Sequence, residues 1–82
     1  VQVVDLSCLT QGSVACVLGV DSHGAGDVIA QRLLDLGFVR GESVRCISLA
    51  PFGGDPILVQ IGYTRFALRK SEARRVQIEV KS

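Results

Sequence analysis

Residues 13–20 carry apolar side chains at Val14, Cys16, Leu18 and Val20, with Ala15 and Val17 between them. A period of two puts the first four on one face of a strand and the other two on the opposite face, which predicts a central strand covered on both sides. Asp21-Ser22-His23-Gly24-Ala25-Gly26 ends it. The glycines free the backbone and the polar side chains compete for its hydrogen bonds, so a mobile loop is predicted there. The period then changes. Ile29, Leu33 and Leu36 recur at helical spacing with Ala30 and Leu34 beside them, and Asp27 stands where an N-cap belongs. This predicts an amphipathic helix of about ten residues. Gly37 supplies a left-handed stop, and Phe38 follows in the position that packs back on the last turn at Leu33.

Arg40-Gly41-Glu42 turns the chain into a second strand over 43–50, where Val44, Cys46 and Ser48 alternate with Arg45, Ile47 and Leu49. Pro51-Phe52-Gly53-Gly54-Asp55-Pro56 removes backbone donors and favours turn geometry, so a sharp loop is predicted. Residues 57–61 and 65–68 flank Gly62-Tyr63-Thr64, a spacing for a tight hairpin. Ser71 can cap one helical turn through Ala73, and Val76, Ile78 and Val80 alternate with Gln77 and Glu79 in a last strand. Leu6, Leu9 and the Thr10-Gln11-Gly12 turn form a lead-in that lays apolar side chains on the domain. The sum is mainly β: five short strands, one inserted α-helix and a helical turn before the last strand. An open sheet of such strands would leave hydrogen-bonding edges and an unburied apolar face, so a small five-stranded barrel is predicted as one domain over 1–82.

Composition narrows the class. With 82 residues there is room for one core, and 48% hydrophobic against 21% charged residues is a globular profile, not a disordered one. Apolar runs such as 14–20 fall far short of the roughly 20 residues of a membrane-spanning helix, so no direct membrane insertion is expected. Residues 1–10 lack a basic start followed by an apolar block and do not read as a secretory signal. Cys8, Cys16 and Cys46 are odd in number and not closely paired, which argues against a disulfide framework or a four-Cys metal site and fits a reducing cytoplasm. Cys16 and Cys46 sit on faces predicted to point inward, where a thiol packs as a small apolar group. The net charge of +1 is too small to signal nucleic acid, although the C-terminal part is basic, with Arg65, Arg69, Lys70, Arg74, Arg75 and Lys81 against Glu72 and Glu79.

Four segments in order carry a resemblance: Arg32-Leu33-Leu34-Asp35-Leu36-Gly37-Phe38, Gly41-Glu42-Ser43-Val44, Ala50-Pro51-Phe52-Gly53-Gly54-Asp55-Pro56-Ile57, and Phe66-Ala67-Leu68-Arg69-Lys70-Ser71-Glu72-Ala73. Together they resemble the FeoA family of ferrous iron transport accessory proteins over nearly the whole chain. The resemblance implies an SH3-like barrel with an inserted helix, located in the bacterial cytoplasm and recruited to the inner face of the membrane by its partner. It implies as that partner the membrane transporter of ferrous iron that carries a G domain, regulated or assembled by a protein that is not an enzyme. Against that resemblance, many relatives look one Gly shorter at Gly53-Gly54, and the loop over 21–26 is somewhat longer than the resemblance leads one to expect.

The residues themselves offer few chemical sites. His23, with Asp21 and Asp27 nearby, is a weak candidate for a divalent metal such as Fe2+ or Zn2+, because one His is short of the four ligands of a structural zinc site. No cofactor is required on this reading. The glycines of 19–26 precede a helix but lack the Gly-Lys-Ser or Gly-Lys-Thr ending of a phosphate loop. No nucleophile is paired with a plausible base, so no catalytic residue is assigned. RNA-binding barrels add aromatic stacking platforms, and the aromatics near the basic cluster are Tyr63 and Phe66, so protein contact is preferred over nucleic acid. The residues assigned to partner binding are Phe52 as an apolar anchor, Asp55 beside it, and Arg65, Arg69 and Lys70 as the charged complement. Weak pairing of two copies could use a strand edge or the helix face carrying Leu34. The alternatives are a regulatory SH3-like module of the metal-dependent repressor type and a small RNA-binding barrel.

Overall fold

The computed structural model describes residues 2–49 and 55–80. Within them β1 (Gln2–Asp5) leads into a 3₁₀ turn (Leu6–Cys8), followed by β2 (Val14–Val20), α1 (Val28–Leu36), β3 (Ser43–Leu49), β4 (Ile57–Ile61), β5 (Thr64–Leu68), α2 (Lys70–Ala73) and β6 (Val76–Val80). The strands join in one antiparallel sheet ordered β1-β6-β2-β3-β4-β5. The fold is mainly β as expected, with six strands in place of five. The additional strand, β1, has Val3 60% exposed and no clean local alternation. It is held by pairing with β6, from Gln2 opposite Val80 to Asp5 opposite Gln77, a partner over seventy positions away.

Curvature comes from β2. Its first residues pair with β3 (Val14 with Arg45, Cys16 with Ser43), and its later ones pair with β6 (Val17 with Ile78, Val20 with Val76). A strand shared between two neighbours in this way turns a corner in the sheet. The register shift between Val17 and Gly19, and another in β3 between Cys46 and Ser48, add the local twist that bulges bring. The concave face then gathers Val17, Val44, Cys46, Val59, Leu68, Val76 and Ile78, all fully buried. Leu6, Leu33, Phe38 and Ala73 complete the same core from the 3₁₀ turn, α1, its exit and α2. Phe38 meets Phe66 edge to face, with centroids 5.4 Å apart.

β2 is central, but its faces are the reverse of a two-sided strand: Ala15 and Val17 are buried, whereas Val14 and Cys16 are exposed. All four are apolar or neutral, so the period alone carries no phase, and pairing of Val17 with the buried Ile78 sets it. Cys16 is therefore exposed and only Cys46 packs in the core.

Helix α1 follows its expected boundaries. Asp27 Oδ1 accepts from the Ala30 N–H at 3.1 Å. At the other end Gly37 has φ 114°, its N–H donates to Leu34 O at 3.0 Å, and the Phe38 N–H donates to Leu33 O at 3.2 Å. This is the paired hydrogen-bond pattern of a Schellman stop, and it brings Phe38 into the core beside Leu33. Ala30 and Leu33 are buried, but Ile29 and Leu34 lie on the flanks of that stripe and are 44% and 40% exposed.

Two turns differ in detail. Thr64 belongs to β5 and pairs with Ile61, so the hairpin turn is Gly62-Tyr63 alone, with Gly62 at φ 59°. Helix α2 is not capped by Ser71, which lies within its first turn. Its free amides are satisfied instead by carboxylates: Glu72 Oε1 accepts from the Arg69 N–H, and Asp55 Oδ1 accepts from the Lys70 N–H, each at 3.0 Å.

Candidate interaction surface

The loop after β2 is tied down at both ends. Asp21 N–H donates to Arg75 O at 2.7 Å, continuing the β2–β6 ladder by one residue. The Arg75 guanidinium donates back to Asp21 O from Nε at 3.2 Å and from Nη2 at 3.1 Å, and Nη2 also forms an ion pair with Asp27 Oδ2. Gln77 Nε2 donates to Asp21 Oδ2 at 2.8 Å. Asp27 meanwhile receives the His23 N–H on Oδ2 at 2.9 Å and the Ala30 N–H on Oδ1. Donors on its ionised form, first the His23 amide, then the Ala30 amide and Arg75, hold its carboxyl at about 2, below its ordinary 3.8.

These contacts bear on the three metal candidates. Asp21 and Asp27 lie in one neighbourhood with His23, yet their carboxylates are engaged by Gln77, Arg75 and backbone amides. His23 joins them through its amide. Among the described residues no group of three or more His, Cys, Asp and Glu side chains is arranged to hold a metal ion. What the arrangement does is fix the start of α1 to the α2–β6 corner. A second link, between Arg32 on α1 and Glu72 on α2, reinforces the same junction.

The basic cluster read from sequence is divided by the fold. Arg75 is only 13% exposed and committed to Asp27. Arg65, two residues past the hairpin turn, is exposed and its Nε donates to Gln60 Oε1 at 2.8 Å. Arg69 is exposed just beyond the other end of β5, about 13 Å further along at strand spacing. Lys70 is half-buried at the start of α2, where its amide meets Asp55. Asp55, Arg69 and Lys70 thus converge, while Arg65 stands apart along the same strand. Phe52 lies outside the described residues. Tyr63 is fully exposed at the hairpin tip.

The sequence reading did not single out Arg75, Glu72, Arg32 or Gln77 as positioning residues. Each acts on a partner roughly forty to fifty-six positions away, so no local spacing marks it. Asp55 had a visible signal, a carboxylate next to a loop, but its role in closing α2 depends on bringing β4 and β5 into register. No helix of the described residues is long and apolar enough to cross a membrane.

Residues 4–80 match the FeoA domain family. The chain is 31% identical over 75 residues to the Fe(2+) transport protein A/Fe(2+) transporter FeoB fusion protein of Porphyromonas gingivalis, covering 92% of this chain and 8% of that relative. Among solved structures, FeoA of Stenotrophomonas maltophilia, a procaryotic SH3 domain protein crystallised with zinc, has 52% identity and a TM-score of 0.83. The match covers 92% of this chain and 88% of that one. A FeoA-like protein from Clostridium acetobutylicum has 29% identity and a TM-score of 0.83, over 98% of this chain and 88% of that one.

Proposed function

The chain belongs to the FeoA family, implicated in ferrous iron transport, and from that premise we propose that it is a non-catalytic accessory protein that docks on the cytoplasmic part of the G-domain-containing ferrous iron transporter and regulates or assembles it. The observation that carries this reading is the fusion relative, in which a segment similar to this chain shares one polypeptide with an Fe(2+) transporter. Two modules joined in one chain meet at high effective concentration, a state that suits partners whose free surfaces bind weakly.

The docking face has Asp55, Arg69 and Lys70 at the start of α2 and Arg65 along β5, with Phe52, three positions before Asp55 in sequence, as the apolar anchor. Exposed arginines give charge complementarity and orientation, and a buried aromatic anchor gives affinity. Ferrous iron is then the transporter's cargo, and an Fe2+ or Zn2+ ion at His23, Asp21 and Asp27 is a weak, dispensable ligand. The protein works at the cytoplasmic face of the membrane. The test is binding of the Phe52→Ala variant to the transporter's purified cytoplasmic portion. Weakened binding at unchanged thermal stability supports the reading, and a collapse of stability along with binding places Phe52 in the core and removes it from the site.

A further inference from the structure

β5 is the last strand of the sheet, and among the described residues one of its sides faces no other strand. The two-residue turn makes Ile61 and Thr64 a hydrogen-bonded pair, and alternation continues that pairing to Val59 with Phe66 and Ile57 with Leu68. The N–H and C=O groups of Arg65 and Ala67 therefore point away from β4. Among the described residues nothing bonds to them. Beyond Ala67 the edge closes, because the Arg69 N–H is taken by Glu72. The open edge is thus two residues long in its bonding capacity, offering two donors and two acceptors.

The side chains above this edge define what can pair with it. Arg65, Ala67 and Arg69 fall on one face by the period of two, and all three are exposed. Among the described residues neither guanidinium has a carboxylate partner, Arg65 being bonded to the neutral Gln60. An added strand would place one side chain opposite Arg65, one opposite the small Ala67, and one opposite Arg69. Cross-strand pairs of opposite charge are favourable and like charges directly opposite are not. A second copy of this chain is a less complementary occupant: antiparallel registers centred on Ala67 or on Arg65 set arginine against arginine, and the register centred on Phe66 sets Arg65 against Ala67 with no acidic residue on the strand to answer either guanidinium.

We propose that the outer edge of β5 accepts an extended strand of a partner protein carrying acidic residues four positions apart with an apolar residue midway, by strand addition at Arg65 and Ala67. The same arginines disfavour basic strands, so the edge is selective where a bare edge would aggregate. The inference goes beyond the transporter reading, because it holds for any partner presenting such a strand.

The probe is the peptide acetyl-Thr-Glu-Thr-Val-Thr-Glu-Thr-amide at millimolar concentration, followed by amide NMR of the isotopically labelled chain, with a Lys-for-Glu peptide as control. The Arg65 and Ala67 amides are expected to shift most and to gain protection from exchange. Ala67→Pro removes an outward N–H that β4 does not use, and should abolish binding with the fold retained. Reversing both charges, Arg65→Glu with Arg69→Glu, should weaken the acidic peptide about tenfold and transfer preference to the Lys peptide. This charge swap decides the matter if the proline variant does not fold. Equal binding of both peptides, shifts centred elsewhere, or undiminished binding by a folded Ala67→Pro variant would overturn the proposal. So would a concentration-dependent dimer abolished by Ala67→Pro, which would assign the edge to a second copy.

Discussion

Arg75 and Asp27 form an ion pair across 48 positions of sequence, joining the corner between α2 and β6 to the residue that caps α1. The aspartate serves two purposes at once: it ends the helix electrically and anchors the loop that precedes it. Helix α1 bridges β2 and β3, and this contact decides how that insertion sits on the barrel.

Acid should release this junction in a defined window. The Asp27 carboxyl is held at about 2, below 3.8, chiefly by the His23 and Ala30 amides and by Arg75. Because the folded form binds its proton more weakly, the contribution is fully present above about pH 4 and is lost as pH falls toward about 2. Asp27→Asn keeps a capping acceptor but loses the charge, whereas Asp27→Ala loses both. Thermal melts should rank parent above Asn above Ala at neutral pH, with the gap between parent and Asn closing between about pH 4 and 2. A gap that stays constant through that range would show that the charge is not used.

Helix burial is unequal along neighbouring leucines. Leu33 is fully buried beside Phe38, and Leu34 is 40% exposed. Leu33→Ala should cost about 2–5 kcal/mol in denaturant unfolding, while Leu34→Ala should cost on the order of 0.5 kcal/mol. Similar losses at both positions would mean that α1 packs with a different face.

Thiol chemistry reads the phase of β2 and β3. Cys8 and Cys16 are exposed, and burial both hides Cys46 and pushes its thiol up. Native protein treated with iodoacetamide should be alkylated at Cys8 and Cys16, with Cys46 modified only after unfolding, as peptide mass mapping would reveal. Protection of Cys16 would return it to the core and reverse the assigned face of β2.

Much of this fold is legible locally. Helix α1 is written in its own residues, from Asp27 through the Leu33 stripe to Gly37 and Phe38, because each cap acts on amides or carbonyls within a few positions. The hairpin of β4 and β5 is likewise announced by Gly62. β1 and the facing of β2 are not, since their stability and phase come from pairing with β6 at the far end of the chain. The site is legible only in part. The meeting of the Asp55 carboxylate with the Lys70 amide spans fifteen positions and has no local mark, Arg75 leaves the basic cluster for Asp27, and the open edge of β5 appears only once strand order is known.

The most direct test of the docking role is an NMR titration of the labelled chain with the transporter's cytoplasmic portion, with and without guanine nucleotide, and with ferrous iron alone as control. Saturable shifts confined to Asp55, Arg65, Arg69, Lys70 and the residues around Phe52 are the predicted result, and dependence on nucleotide would mark regulation of the G domain. No shifts with the transporter, together with clear shifts around His23 on adding iron, would contradict the account and make the chain a metal-binding protein instead.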